Sequence, residues 1–219
     1  MRQYVIASIL LAVLAGCSSG EKTARFLIDP PTTGERLPNR LGTTELKDVS
    51  LPDYASAGEV SWQSADGAVR SNTKQLWADN PQRAFTQTLA RAISDLSGAT
   101  VIGEPWPLAE PPRRTLEVRV EKALAQSDGT YRLAGRYFVG DSRSGGANQA
   151  RNFDIHVPMG EGGAASPATV ARAQSLAIAQ LARQIAVLGG PGNSLRTSSA
   201  PPSNIDDIFS QPLPPLEGS

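Results

Sequence analysis

The chain contains one cysteine and one histidine in 219 residues, and these two side chains bound its chemistry. A lone cysteine forms no internal disulfide and builds no Cys-rich zinc or iron–sulfur site. A lone imidazole supports no multi-histidine metal cluster, and no local motif supplies it with a nucleophile to activate. His156 falls on the polar side of Phe153-Asp154-Ile155-His156-Val157, so a solvated surface histidine is its simplest reading. The carboxylates do no better. Glu117 and Glu121 alternate with Arg119, and Asp206-Asp207 are adjacent, which makes a charged surface rather than a facing acid/base pair. The glycine-rich loops lack both a following Lys-Ser/Thr and the G-x-G-x-x-G spacing of nucleotide folds. No cofactor is therefore indicated, and enzymatic chemistry is the least favoured reading. A formal net charge of 0 also removes the driving force for general nucleic-acid binding.

The cysteine has a different use. Arg2 gives a short positive region, and Tyr4 to Val13 is an apolar run too short to span a bilayer as a mature helix. The run ends in Leu14-Ala15-Gly16-Cys17, a bacterial lipoprotein processing box. Residues 1–16 are expected to be removed as a signal peptide, leaving Cys17 as the acylated N-terminus. Its sulfur is then a thioether, neither nucleophile nor ligand. Two or more acyl chains anchor firmly because each buried CH2 contributes about 0.8 kcal/mol. An ordinary secretory peptide with a chance cysteine is the competing reading. Ser18, rather than Asp, follows the cysteine, which favours the periplasmic side of the outer membrane. Loss of Arg2 leaves 20 basic against 21 acidic side chains, a nearly neutral mature surface.

Several elements must position whatever follows. Residues 17–24 read as a short lipidated tether and 25–190 as one domain. Arg25 to Asp29 suits a first strand, Glu45 to Leu51 a second, and Val60 to Trp62 a third that returns after Asp66-Gly67 as Ala68 to Thr73. Asn80-Pro81 opens a helix in which Phe85, Leu89, Ala92, Ile93 and Leu96 form one apolar stripe, and Gly98 stops it. Thr100 to Ile102 is a short strand, and the four prolines between Glu104 and Pro112 enforce an extended loop. Thr115 to Leu124 alternates cleanly, Tyr131 to Val139 returns after Asp128-Gly129, and Phe153 to Val157 follows a loop at 140–149. Ser166-Pro167 opens a second helix whose seam is Ala173, Ala177, Leu181, Ile185 and Leu188, widened by Val170 and Ile178. The expectation is an α+β two-layer sandwich, a mostly antiparallel sheet with two main helices on one face.

From Pro191 to Ser219 six of 29 residues are proline, the composition of a disordered tail. Within it Ile208 and Phe209 end an acidic-apolar patch that reads either as incidental composition or as a short partner-binding element. Trp62, Trp77 and Trp106 sit at loops or element edges, where large amphipathic rings serve packing or a partner or lipid contact.

The lipobox, Phe26-Leu27-Ile28-Asp29, Leu51-Pro52-x-Tyr54, the Trp77-to-Pro81 segment before the helix and Val101 to Trp106 after it occur in one order. In that order they resemble the auxiliary lipoproteins of ABC-type intermembrane transport systems, over roughly residues 14–188. The family's usual basic or histidine residue before the tryptophan is Leu76 here, and the tail lies outside the common domain. The resemblance implies a non-catalytic lipoprotein of the outer membrane serving envelope integrity and lipid transport. Its implied partners are an MCE-domain protein and the associated ABC transporter permease. Leu51, Pro52, Tyr54, Trp77 and Trp106 are then candidates for a family surface or core. A lipid-anchored structural adaptor of another envelope or secretion assembly is the alternative. Direct lipid carriage calls for a groove between sheet and helices, whereas a tightly packed domain fits an adaptor or a homo-oligomeric collar.

Overall fold

The computed structural model describes residues 23–31, 34–143, 146–160 and 166–192. Cys17, Ile208 and Phe209 lie outside the described residues, as do the signal segment and nearly all of the tail. The chain runs through β1 (Ala24–Phe26), β2 (Thr43–Leu46), a short helix α1 (Asp53–Ser56), β3 (Glu59–Gln63), β4 (Val69–Trp77) and α2 (Pro81–Ser97). It continues through β5 (Thr100–Gly103), β6 (Arg114–Ala125), β7 (Thr130–Asp141), β8 (Gly146–Pro158) and α3 (Pro167–Ala186).

The eight strands form one open, mixed sheet, the α+β arrangement expected. The long pairings are antiparallel: β6 with β7 and β7 with β8 form a meander, and β3 with β4 a hairpin. Short parallel pairings complete the sheet, β1 with β4, β2 with β5 and with β6, and β3 with β6. These parallel contacts join segments distant in sequence, which strand alternation does not report.

Alternation along β6 divides the faces. Leu116, Val118 and Val120 are buried against the helices, while Arg119 and Glu121 are exposed on the other side with their neighbours Arg136, Asp154 and His156. That outer face carries a ladder of ion pairs: Arg119 with Glu117 at 2.5 Å, Arg136 with Glu121 at 3.3 Å, and Arg132 with Asp154 at 2.8 Å. Such exposed pairs stabilise little, about 0–1 kcal/mol each.

Both long helices begin and end as their sequences direct. The side chains of Asn80 and Ser166 accept the amides of Arg83 and Thr169, each followed by a proline in the first helical turn. Gly98 closes α2 with φ 68°, a left-handed conformation that costs glycine no steric strain. Helix α3 is buried nearly all round, because it packs against α2 as well as against the strands. Ala173, Ala177, Ala182 and Ala186 allow that close approach, and Phe85, Leu89, Ile93, Ile178, Leu181 and Ile185 are fully buried in the interior.

Several details depart from the sequence reading: the first strand ends at Phe26 rather than Asp29, and the strand after Asp66-Gly67 runs on to Trp77 rather than stopping at Thr73. The second strand ends at Leu46 rather than Leu51, although Lys47 and Ser50 still donate backbone hydrogen bonds to Leu116 and Val118. Helix α1 is one turn and too short to show a period. Residues 140–149 are not all loop: β7 extends to Asp141 and β8 begins at Gly146, so glycine- and asparagine-rich sequence pairs across the hairpin beside a register shift at Val139/Gly140.

Gly135 shows how tightly the meander is drawn. A β-carbon there would collide with the backbone of Arg119 and Val120 and lie 2.9 Å from the Phe153 ring, beside the register shift between Val120 and Lys122. Gly135→Ala is therefore expected to lower unfolding free energy by about 1–3 kcal/mol in urea titration, the usual cost of overpacking.

Candidate functional surface

The sequence segments singled out above are strung along one edge of β6, with Leu51-Pro52-x-Tyr54 towards its C-terminal end and the Trp106 loop towards its N-terminal end. After β2 the chain runs along β6, Val120 donates its amide to Ser50, and Leu51-Pro52 turns it into α1. The carbonyl of Pro52 accepts the amides of Ala55 and Ser56 at 2.8 and 3.0 Å. This turn aims Tyr54 back at β6, where its hydroxyl accepts the Ala123 amide at 3.2 Å. That amide lies between the Ser50–Arg119 bridge and the Trp62–Ala125 pairing, where no strand flanks β6 on the edge away from β7. Tyr54 thus fills a gap in the sheet, while Ser61 donates its hydroxyl to the Tyr54 carbonyl at 3.0 Å. Leu51 is partly buried against the core.

Trp77 is a core side chain, 6% exposed, and its amide bonds the Gly58 carbonyl. It closes β4, and Asp79 and Arg83 form an ion pair over the start of α2. That pair lowers the Asp79 carboxyl, first through the hydrogen bond from Arg83. Val49 reaches the same helix, its amide donating to the Thr86 hydroxyl at 3.0 Å. Asp48, Asn80, Arg83, Thr86, Gly103 and Glu104 line a polar cleft of about 520 Å³ between the start of α2 and the end of β5.

Trp106 extends from the rim of this cleft. Its backbone amide donates to Glu45 Oε1 at 3.1 Å and its indole N–H to the Glu110 carbonyl at 2.6 Å, which pins both ends of the proline-rich loop. The ring is half-buried, and Leu108 beyond it is 49% exposed. Lys47 Nζ sits between Glu45 at 2.7 Å and Glu104 at 2.9 Å, tying β2 to the loop. Hydrogen bonds to Glu45 and then Glu104 raise the lysine pKa, and the Lys47 hydrogen bond lowers that of Glu104.

Among the described residues no group of three or more His, Cys, Asp or Glu side chains is arranged to hold a metal ion. His156 lies elsewhere, on the outer sheet face, with Nε2 3.1 Å from Asp154. No described helix is long and apolar enough to cross a membrane. Of the sequence candidates, Leu51, Tyr54 and Trp77 are framework and Trp106 is a presented side chain, and the structure does not bring them into one cluster. The Glu45–Lys47–Glu104 bridge carries no sequence signature, because it links residues from two elements paired in parallel.

A family model described as "ABC-type transport auxiliary lipoprotein component" matches residues 26–186. The chain belongs to this family. The "Intermembrane transport lipoprotein PqiC" of Escherichia coli (strain K12) is 27% identical over 143 residues, covering 64% of this chain and 74% of that protein, and its Shigella flexneri counterpart matches equally. Two solved structures share the fold at a TM-score of 0.57. One, of an uncharacterized protein, is 20% identical and covers 71% of this chain and 98% of that chain. The other, a protein of Xanthomonas campestris, is 14% identical and covers 73% of this chain and 91% of that chain.

Two variants test this architecture. Tyr54→Phe leaves the Ala123 amide without its acceptor and is expected to cost about 1–3 kcal/mol in equilibrium unfolding, with the fold retained by circular dichroism. The Lys47 bridge gives a pH signature. Glu104 titrates below its ordinary 4.5 in the folded chain, so its contribution is complete above that pH and is lost as pH falls through the lower folded value. Lys47→Met should therefore flatten the acid limb of the unfolding midpoint below pH 4.5 relative to the wild type.

Proposed function

We propose that the chain is a non-catalytic auxiliary lipoprotein of an intermembrane lipid transport system. Cys17 anchors it to the periplasmic side of the outer membrane, where it works with an MCE-domain protein and the associated ABC permease. Family membership carries this reading, because the match runs from β1 through α3 and so includes every element that frames the surface. The similarity to an intermembrane transport lipoprotein supports transport between membranes as the setting. The processing box at Leu14 to Cys17 supports the anchor, and Ser18 supports outer-membrane sorting.

The packing favours holding over carriage. Side chains of α2, α3 and the sheet fill the space where a lipid groove between the layers would run, so transported material passes alongside this domain rather than through its interior. The partner contact falls on the Trp106 loop, with Leu108 as its apolar tip and the polar cleft at its base. Leu51, Pro52, Tyr54 and Trp77 belong to the framework of β4 and of the β6 edge, and Ile208-Phe209 of the tail supply a second contact.

Cross-linking in native membranes followed by affinity purification tests the assignment. The wild type should capture an MCE-domain protein and its permease, and Trp106→Ala combined with Leu108→Glu should reduce that capture severalfold. Capture of a different envelope or secretion assembly, with no MCE-domain protein, would refute the transport assignment. Intact mass of the same preparation should give a chain beginning at acylated Cys17; an unmodified thiol or another N-terminus refutes the anchor.

A further inference from the structure

Leu27, immediately after β1, is 71% exposed, more than any other large hydrophobic side chain among the described residues. It does not hang on a loose end. Two residues on, the Asp29 amide donates to Ser175 Oγ of α3 at 3.0 Å, and the Asp29 carboxylate pairs with Arg91 of α2 at 2.7 Å. Both long helices therefore hold the segment that presents this leucine. Phe26, Leu27 and Leu176, with Arg25 and Arg172, line a groove of about 580 Å³ beside α3. Ala168, Arg172 and Leu176 also line a second groove of about 400 Å³ reaching Met159, so an apolar trough edged by arginines follows the first half of α3. The acidic member of the lining, Asp29, already has Arg91 as counter-ion, which leaves the face cationic.

The occupant follows from the length of chain before β1. Thr23 is six residues from Cys17, a span of at most roughly 20 Å when fully extended. The trough must then lie close to whatever surface receives the acyl chains. We infer that this trough docks the phospholipid monolayer that holds Cys17, with Leu27 entering the acyl boundary and Arg25 and Arg172 meeting lipid phosphates. The inference rests on the proposed acylation of Cys17 and adds a second attachment that fixes how the domain faces the membrane. An exposed apolar side chain flanked by two arginines is the chemistry of interfacial binding, in which burial and attraction to anionic headgroups act together.

Acylation at Cys17 consumes the native thiol, so an introduced cysteine takes a maleimide dye selectively. Full-length Leu27→Cys and, on the opposite face of the sheet, Glu121→Cys are labelled with a nitrobenzoxadiazole dye. They are then reconstituted as acylated proteins in phosphatidylethanolamine–phosphatidylglycerol vesicles containing nitroxide lipids at graded depths. The Leu27 dye should be quenched severalfold more than the Glu121 dye, most strongly by nitroxides at the acyl boundary, about 5–10 Å into the monolayer. Adding Arg25→Glu and Arg172→Glu should weaken that quenching severalfold. Acylated protein in which both dyes are equally unquenched overturns the docking alone, as does a Leu27 dye quenched only from the headgroup level. A missing acyl increment in the intact mass overturns the anchor and the docking together.

Discussion

One edge of β6 governs the architecture. Its other edge is paired with β7 along its whole length, but this edge is divided among Thr44–Leu46 at one end, Ser50 in the middle and Trp62 at the far end. Backbone donors and acceptors at a half-buried edge need partners, and no single strand supplies them here. The three backbone segments from β2 to β3 must therefore stay in step along one strand, and Tyr54 completes the row with a side chain where the backbone has turned away. The spacing Leu51-Pro52-x-Tyr54 is set by the distance between two points on β6 rather than by chemistry with a ligand.

Dividing the edge also produces the candidate surface. Because β2 joins β6 in parallel and β5 joins β2 in parallel, the ends of β2 and β5 emerge together, next to the start of α2. That coincidence brings Glu45, Lys47 and Glu104 into one bridge and projects the Trp106 loop from a fixed base. Helix α3 plays the complementary part at the other side of the core. Its alanines let it sink against the strands and α2 together, so that its exposed strip is narrow, running through Ala168, Arg172, Gln180 and Arg183.

Much of this was legible in the chain, and what was not has a physical reason. The caps at Asn80 and Ser166, the stop at Gly98 and the alternation in β6, β7 and β8 are local signals, set within a few residues. The parallel pairings are nonlocal, and α1 is a single turn; neither leaves a periodic trace. Among site residues, tryptophan type alone could not separate Trp77, which ends a strand in the core, from Trp106, which sits in a loop tied by Glu45 and Glu110. Lys47 has no neighbours in sequence that mark it as a bridge to Glu104, 57 positions later.

The staple at Asp29 has a mechanical consequence. Backbone hydrogen bonds run across a strand, so traction applied at Thr23 along β1 loads its pairing with β4 in shear rather than peeling it apart bond by bond. The Ser175 and Arg91 contacts share that load and pass it into the two helices. Under the proposed anchoring at Cys17, load would enter the domain through β4 and the two helices and not through β2 and β5, which carry the Trp106 loop.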